Sequence, residues 1–370
     1  MPSPPPTQTA YTIPATATAP SSLEKSTLPT PTPGPSQVLI RVTAVSLNFR
    51  DLLIASRSPE YPGAHAANLT PCSDGAGVIY STHPTSRWHG KEGVRVVLHS
   101  NLWLDGDVRN LDLSKVHGGF ETQGTLREFM VVGDEKIVEV GDDENGISDG
   151  QWASLITAGG TAWSALREGM DGRFDGVVEG WSGGWTEKKL KGKTVLTMGT
   201  GGVSCFAIQF AVALGATVIA TSSSDEKLEI ARELGATHLI NYSKVEDWDV
   251  EVLRLTDGKG VDQVIEVAGA KTLLKSITST RPGGLISLIG ILTGAAKLPE
   301  EVVPAVLFGG KIVKGCVAFN KVCVDEMVKF VGENGIKPLV AKTFEFDQAI
   351  DAFHMLQKGG AVGNVVIKVA

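Results

Sequence analysis

Ten residues in the second half of the chain, Val195-Leu196-Thr197-Met198-Gly199-Thr200-Gly201-Gly202-Val203-Ser204, restrict the possible folds more than any other stretch. An apolar run of strand length breaks into glycines. It then resumes as a helical pattern, with Val203, Phe206, Ala207, Phe210, Ala211 and Leu214 sharing one face. Glycine at such a turn lets the backbone pass close to a pyrophosphate, and the helix that follows aims its first N–H groups at the negative charge. Gly199 and Gly201 meet the first two positions of a G-x-G-x-x-G fingerprint, while Ser204 stands at the third. A second strand, 216–220, ends in polar residues about twenty positions further on, the spacing of a dinucleotide fold. A nicotinamide-nucleotide site built on Gly199, Gly201, Gly202 and Val203 is the expectation.

Around this centre, strands and helices alternate from residue 193 to 315. The strands are expected at 193–198, 216–220, 238–241, 261–267, 284–290 and 311–315, and the helices at 202–214, 225–234, 246–255, 271–279 and 300–308. That alternation predicts a parallel, doubly wound α/β sheet. The N-terminal part differs. Residues 1–6 are expected to be disordered, and edge strands are expected around Tyr11 and Leu28. Short strands follow at 38–42, 75–80, 94–98 and 126–132, with a short helix at 46–53, so this part reads as β-rich and barrel-like. Helices are expected at 151–156 and 160–168. A loop carrying Trp181 and Trp185 is expected at 169–186, and a helix at 322–334. The tail should return to β character at 339–346 and 364–369, with a helix at 347–357 between.

With 370 residues, of which 42% are hydrophobic and 20% charged, the chain has the make-up of a globular protein large enough for two domains. The net charge of −7 and the lack of a basic cluster argue against nucleic-acid binding. The most apolar region is interrupted by Gln209 and Gly215, too short and broken for a bilayer. The first basic residue is Lys25, which fits neither a secretory signal nor a transit peptide. Cys72, Cys205, Cys316 and Cys323 form no CxxC pair, and read as reduced thiols in a cytoplasmic protein.

The order LNFRD, TAGGTAW, GTGGVS, ATSSSDEKLE and GNVVIKV resembles that of the medium-chain dehydrogenase/reductase superfamily. Within it, the chain is similar to the zinc-independent, quinone-oxidoreductase-like branch. The resemblance implies a GroES-like catalytic domain over 1–160 and 321–370, a Rossmann domain over 161–320, and an active site in the cleft. Zinc-dependent relatives have cysteine where this chain has Asn48, a histidine–glutamate pair at Ser73-Asp74, and cysteine near Thr157. They also carry a four-cysteine lobe, whereas residues 99–124 hold no cysteine. His99 and His117 are expected to be surface or hydrogen-bonded residues, and no metal is expected.

NAD-preferring sites end the second strand on an acid that binds the ribose 2′-hydroxyl. Here Thr221-Ser222-Ser223-Ser224 stands there, with Lys227 one helical turn on. The resemblance implies that Ser222, Ser223, Lys227 and Tyr242 hold a 2′-phosphate, so NADPH is the expected cofactor. Ser223 with Glu226 also reads as a capping box, and the acids Asp225 and Glu226 would oppose a phosphate. By position, Thr161 should lie near the nicotinamide, and Ala268 and Gly269 beside the ribose. Gly290, Ile291 and Leu292 should lie against the ring, although plain core is an equal reading for the last two. Asn364, where many relatives have lysine, should approach from the tail.

For catalysis the candidates are Asn48, Asp51 and Arg50. Asn48 and Asp51, three apart, share a helix face: one to donate to a carbonyl oxygen, the other to orient it or bind a ribose hydroxyl. Arg50 suits an anionic substrate, but reads more simply as an exposed surface arginine. The expected activity is hydride transfer to the activated C=C of an enone, enal or quinone. The alternatives are a zinc-free carbonyl reductase or alcohol dehydrogenase, a trans-acting enoyl reductase, and a non-enzymatic NADPH sensor or structural protein. A homodimer is expected through the strand at 311–315, unless Lys311 and Lys314 protect that edge.

Overall fold

A computed structural model describes residues 2–61, 63–141, 146–170, 189–294 and 296–370. They form two compact units, Met1–Ala158 with Asn320–Ala370, and Gly159–Phe319. The first unit opens with an antiparallel pair, β1 (Thr7–Thr12) and β2 (Glu24–Pro29). The Pro6 carbonyl accepts from Thr30 N at 3.0 Å, so ordered contacts extend into the stretch expected to be disordered.

Strand β3 (Gln37–Leu47) is longer than its apolar run suggested. Ser46 and Leu47, expected in a helix, are held extended because Ser46 pairs with Asp74 and Leu47 with Val365. Helix α1 (Phe49–Ala55) starts only after Asn48. Strands β4 (Asp74–Thr82), β5 (Arg95–Leu98), β6 (Phe129–Gly133) and β7 (Ile137–Glu139) follow. Helix α2 (Asp149–Ser154) ends in a π-helical turn, Leu155–Gly159, a local widening often found at functional sites, and here it carries Thr157.

The second unit begins with α3 (Gly160–Met170), which runs beyond its expected end; positions 171–188, including Trp181 and Trp185, lie outside the described residues. The alternation then proceeds as β8 (Thr194–Met198), α4 (Gly202–Ala213), β9 (Thr217–Ser222), α5 (Asp225–Glu233), β10 (His238–Asn241) and α6 (Trp248–Leu255). It continues with β11 (Val261–Glu266), α7 (Leu273–Thr278), β12 (Thr280–Leu288), α8 (Val302–Gly309) and β13 (Ile312–Gly315). The sheet order is β10-β9-β8-β11-β12-β13, all parallel, which is the dinucleotide-binding order with its reversal between β8 and β11. Leu196, Ile219, Val264 and Ile286 bury its central strands.

The tail adds α9 (Lys321–Asn334), β14 (Val340–Glu345), α10 (Ala349–Lys358) and β15 (Asn364–Lys368) to the first unit. Strand β15 slots between β14 and β3, giving the order β14-β15-β3-β4-β5-β7, with β6 also on β3. The fold is thus α/β, with a GroES-like unit and a Rossmann unit. Among the described residues, no helix is long and apolar enough to cross a membrane.

Candidate active site and cofactor cradle

Where β3 gives way to α1, Asn48 is the helix N-cap, and its backbone N–H donates to Asp51 Oδ2 at 2.8 Å. The expected pairing of these two is present. Asp51 is fully buried, and burial, with Asp74 nearby, raises its pKa to about 6 despite the Arg50 charge. Arg50 is not a surface residue. Its side chain is 13% exposed and donates through Nη1 to Asp51 Oδ1 and to the His117 carbonyl, each at 3.1 Å. The guanidinium also lies 5.3 Å from the Tyr61 ring centroid. Helical spacing failed here because a long side chain folds back onto its neighbour and is then covered by a distant loop.

Asp74, at the start of β4, is the hub that sequence reasoning missed. Ser73 Oγ and Thr157 Oγ1 donate to its Oδ1 at 2.7 and 2.6 Å, and Thr157 N and Asn48 Nδ2 donate to its Oδ2 at 2.8 and 2.9 Å. Burial raises its pKa, and these bonds oppose the rise. Next to it, Cys72 is held at φ 73°, and burial pushes its thiol well up, so it is protonated. His99 and His117 are hydrogen-bonded, but both are buried rather than on the surface. His99 Nε2 meets the Trp103 carbonyl at 3.1 Å, and His117 Nε2 meets Lys136 Nζ at 2.5 Å.

In the Rossmann unit, Gly199 has φ 74°, and a Cβ on it or on Gly201 would meet nothing within 4 Å. The turn is therefore open where a pyrophosphate would lie, and Gly202 and Val203 begin α4 without a side chain capping them. At the third fingerprint position, Ser204 Oγ turns back to the Met198 carbonyl at 2.7 Å. Thr221 Oγ1 bridges the turn, accepting from Gly199 N and donating to the Thr197 carbonyl, each at 3.3 Å.

At the end of β9, Ser222 is buried and Ser223 exposed. The helix starts at Asp225 as expected, but its N-cap is Ser224, which accepts from Lys227 N, and not Ser223. Ser223 is thereby released from capping. Tyr242 N donates to the Ser222 carbonyl at 3.0 Å, which brings Tyr242 to the edge that carries Ser222, Ser223 and Lys227. Asp225 is drawn away by Asn241 Nδ2, at 2.6 Å, and by an ion pair with Lys244. Neither partner stood out in the sequence, since Asn241 closes β10 and Lys244 lies in the loop after it.

At the end of β11, Glu266 is fully buried and accepts from Ala268 N, Gly269 N and Thr272 Oγ1 at 2.8, 3.0 and 3.0 Å, and from Ser276 Oγ. It fixes the Ala268–Gly269 turn. A Cβ on Gly269 would stand 3.0 Å from the Gly290 carbonyl, so the two loops abut. Ile291 and Leu292 are 54% and 55% exposed, which overturns the plain-core reading. Thr161 is half-buried in the first turn of α3. Asn364 is buried in the GroES-like unit, donating to Ser46 Oγ at 3.2 Å.

Two family models match the chain: an alcohol dehydrogenase GroES-like domain over residues 34–142, and a zinc-binding dehydrogenase domain over 202–333. A zinc-type alcohol dehydrogenase-like protein of Schizosaccharomyces pombe is 34% identical over 90% of this chain and 91% of its own length. A 2-haloacrylate reductase of a Burkholderia species is 29% identical, covering 90% of this chain and 91% of that protein. A solved structure from Sinorhizobium meliloti 1021, described as an alcohol dehydrogenase, superposes with a TM-score of 0.84 at 30% identity, covering 99% and 100% of the two chains.

The zinc in the second model's description is not matched by this donor set. Both Asp74 oxygens are occupied by donated hydrogen bonds, and the flanking groups are two hydroxyls, an amide and a protonated thiol. Among the described residues, no group of three or more His, Cys, Asp or Glu side chains is placed to hold a metal. The open glycine turn does fit a dinucleotide. With 34% identity along nearly its whole length to one relative and both domain models matched, the chain belongs to the oxidoreductases of the medium-chain dehydrogenase/reductase superfamily, in their quinone-oxidoreductase-like branch.

Proposed function

We propose that this protein is a zinc-independent, NADPH-dependent reductase of an activated C=C in an enone, enal or quinone. The observation that carries the cofactor choice is the end of β9. It carries buried Ser222 and exposed Ser223 where a carboxylate would select NAD, with Lys227 and Tyr242 on the same edge and Asp225 neutralised by Lys244. Bound NADPH supplies the hydride.

The chain's own groups bind and orient. The glycine turn and the α4 N-terminus receive the pyrophosphate, and Ile291 and Leu292 offer apolar surface to the ring. One N–H of the Asn48 amide is held by Asp74, which aims the other to donate to a substrate carbonyl oxygen. Such polarisation suits conjugate addition, in which charge spreads from carbon to the carbonyl. The 2-haloacrylate reductase among the relatives is named for a substrate with a conjugated C=C, which supports this reading.

Oxidation of NADPH and of NADH, followed with a panel of enones, enals, quinones and simple ketones, tests the proposal. Turnover of the conjugated acceptors with NADPH is expected. Turnover confined to simple ketones or alcohols, or a preference for NADH, would overturn it.

A homodimer through β13 belongs to the same reading. That strand ends the sheet, and Val303, Leu307, Phe308 and Val317 nearby in sequence are 71%, 67%, 86% and 59% exposed. Lys311 does not guard the edge, because its Nζ donates to the Ile277 carbonyl at 2.5 Å. Four cysteines without disulfides support a cytoplasmic location.

A further inference from the structure

Strand β6 and the segments around it border a cavity of about 320 Å³ in the GroES-like unit. Its polar lining is Gln37, His117, Thr122, Gln123, Arg127 and Lys136; the rest is apolar or glycine, and neither Asn48 nor Asp74 reaches it. Among the described residues no carboxylate lines the cavity, although Glu135 lies against Gly133 and interacts with Lys136.

The basic groups here are poorly compensated. The Arg127 guanidinium is partly desolvated with no acid offsetting that, and its Nε makes a long 3.4 Å contact with Gln8 Oε1. Lys136 is buried, and its ammonium donates to His117 Nε2 at 2.5 Å rather than to a carboxylate. The imidazole proton then sits on Nδ1, and that buried atom has no partner. Burying cationic groups without a counter-charge is costly, and an anion in the cavity relieves it.

We propose that this cavity binds a small divalent oxyanion, of the phosphate or dicarboxylate type, through Arg127 and Lys136. The His117 carbonyl also receives Arg50 Nη1, so the ligand acts one residue away from the Arg50–Asp51 pair. Sulfate and malonate are suitable probes, because they separate tetrahedral from dicarboxylate geometry and neither titrates between pH 7 and 9.

The experiment is calorimetric titration of NADPH-saturated protein with each probe. Saturable binding at one site per chain is expected. R127Q and K136M should each weaken it about tenfold or more, as loss of a charge-assisted bond does. Arg127 is only half-buried, so R127Q keeps the test alive where K136M does not fold.

Affinity should also fall as pH rises through about 8, where Lys136 loses its proton, and K136M should remove that dependence. His117 and His99 are neutral throughout this range, and Arg127 stays charged. K227A should bind both probes as wild type does, whether or not NADPH is the cofactor. Absence of saturable binding, unchanged affinity in both cavity variants, or loss of binding in K227A would overturn the proposal.

Discussion

Asn48 donates its side-chain amide to Asp74 at 2.9 Å, joining the end of β3 to the start of β4 across twenty-six residues of chain. The Asn48 backbone N–H is at the same time bonded to Asp51, so two buried carboxylates share one residue. This junction makes the first unit sensitive to pH and to loss of charge balance.

Asp51 has a folded pKa of about 6, above its ordinary 3.8. Ionising it therefore destabilises the fold. The penalty is absent below about pH 4, grows between 4 and 6, and is complete above. The rise corresponds to roughly 3 kcal/mol. Asp51→Asn should gain stability relative to wild type as pH increases across that window, measured by urea unfolding at several pH values. A difference that does not change with pH would contradict the assignment.

Arg50→Leu strands the buried Asp51 carboxylate. It should cost about 3–5 kcal/mol, whereas a surface arginine would contribute within about 0.5 kcal/mol. Adding Asp51→Leu should restore part of the loss, because no unpaired charge then remains. Denaturant midpoints of the single and double variants provide the check.

Lys227→Ala should weaken NADPH about tenfold or more while leaving NADH nearly unchanged. Lys244→Ala frees the Asp225 carboxylate beside the same edge, and should also weaken NADPH more than NADH. Fluorescence titration of each variant with both cofactors, at one salt concentration, decides this. Equal losses for the two cofactors would remove the 2′-phosphate role.

Phe308 is 86% exposed on α8, beside the edge strand β13. Light scattering should give a mass near twice the 39.0 kDa chain for wild type, and near a single chain for Phe308→Glu. A monomeric wild type at micromolar concentration would rule out the dimer.

The glycine turn at Gly199, the alternation of strands and helices, and the missing acid after β9 were all legible along the chain, because they depend on neighbours within a turn or two. The GroES-like and Rossmann units follow from those local patterns and from the family resemblance. Elsewhere local pattern misled: Ser46 and Leu47 were drawn into a ladder whose partners, Asp74 and Val365, lie far away in sequence. Capping geometry, not composition, chose Ser224 over Ser223. The Asp74 knot needs Thr157, eighty-three residues distant; the burial of Arg50 needs the His117 loop; and the neutralising of Asp225 needs the loop after β10. Residue types and spacing determined which elements form and where a nucleotide can lie. Which carboxylates are paired, and which cations are left without one, was decided only by tertiary packing, since burial and charge pairing depend on distance in space rather than along the chain.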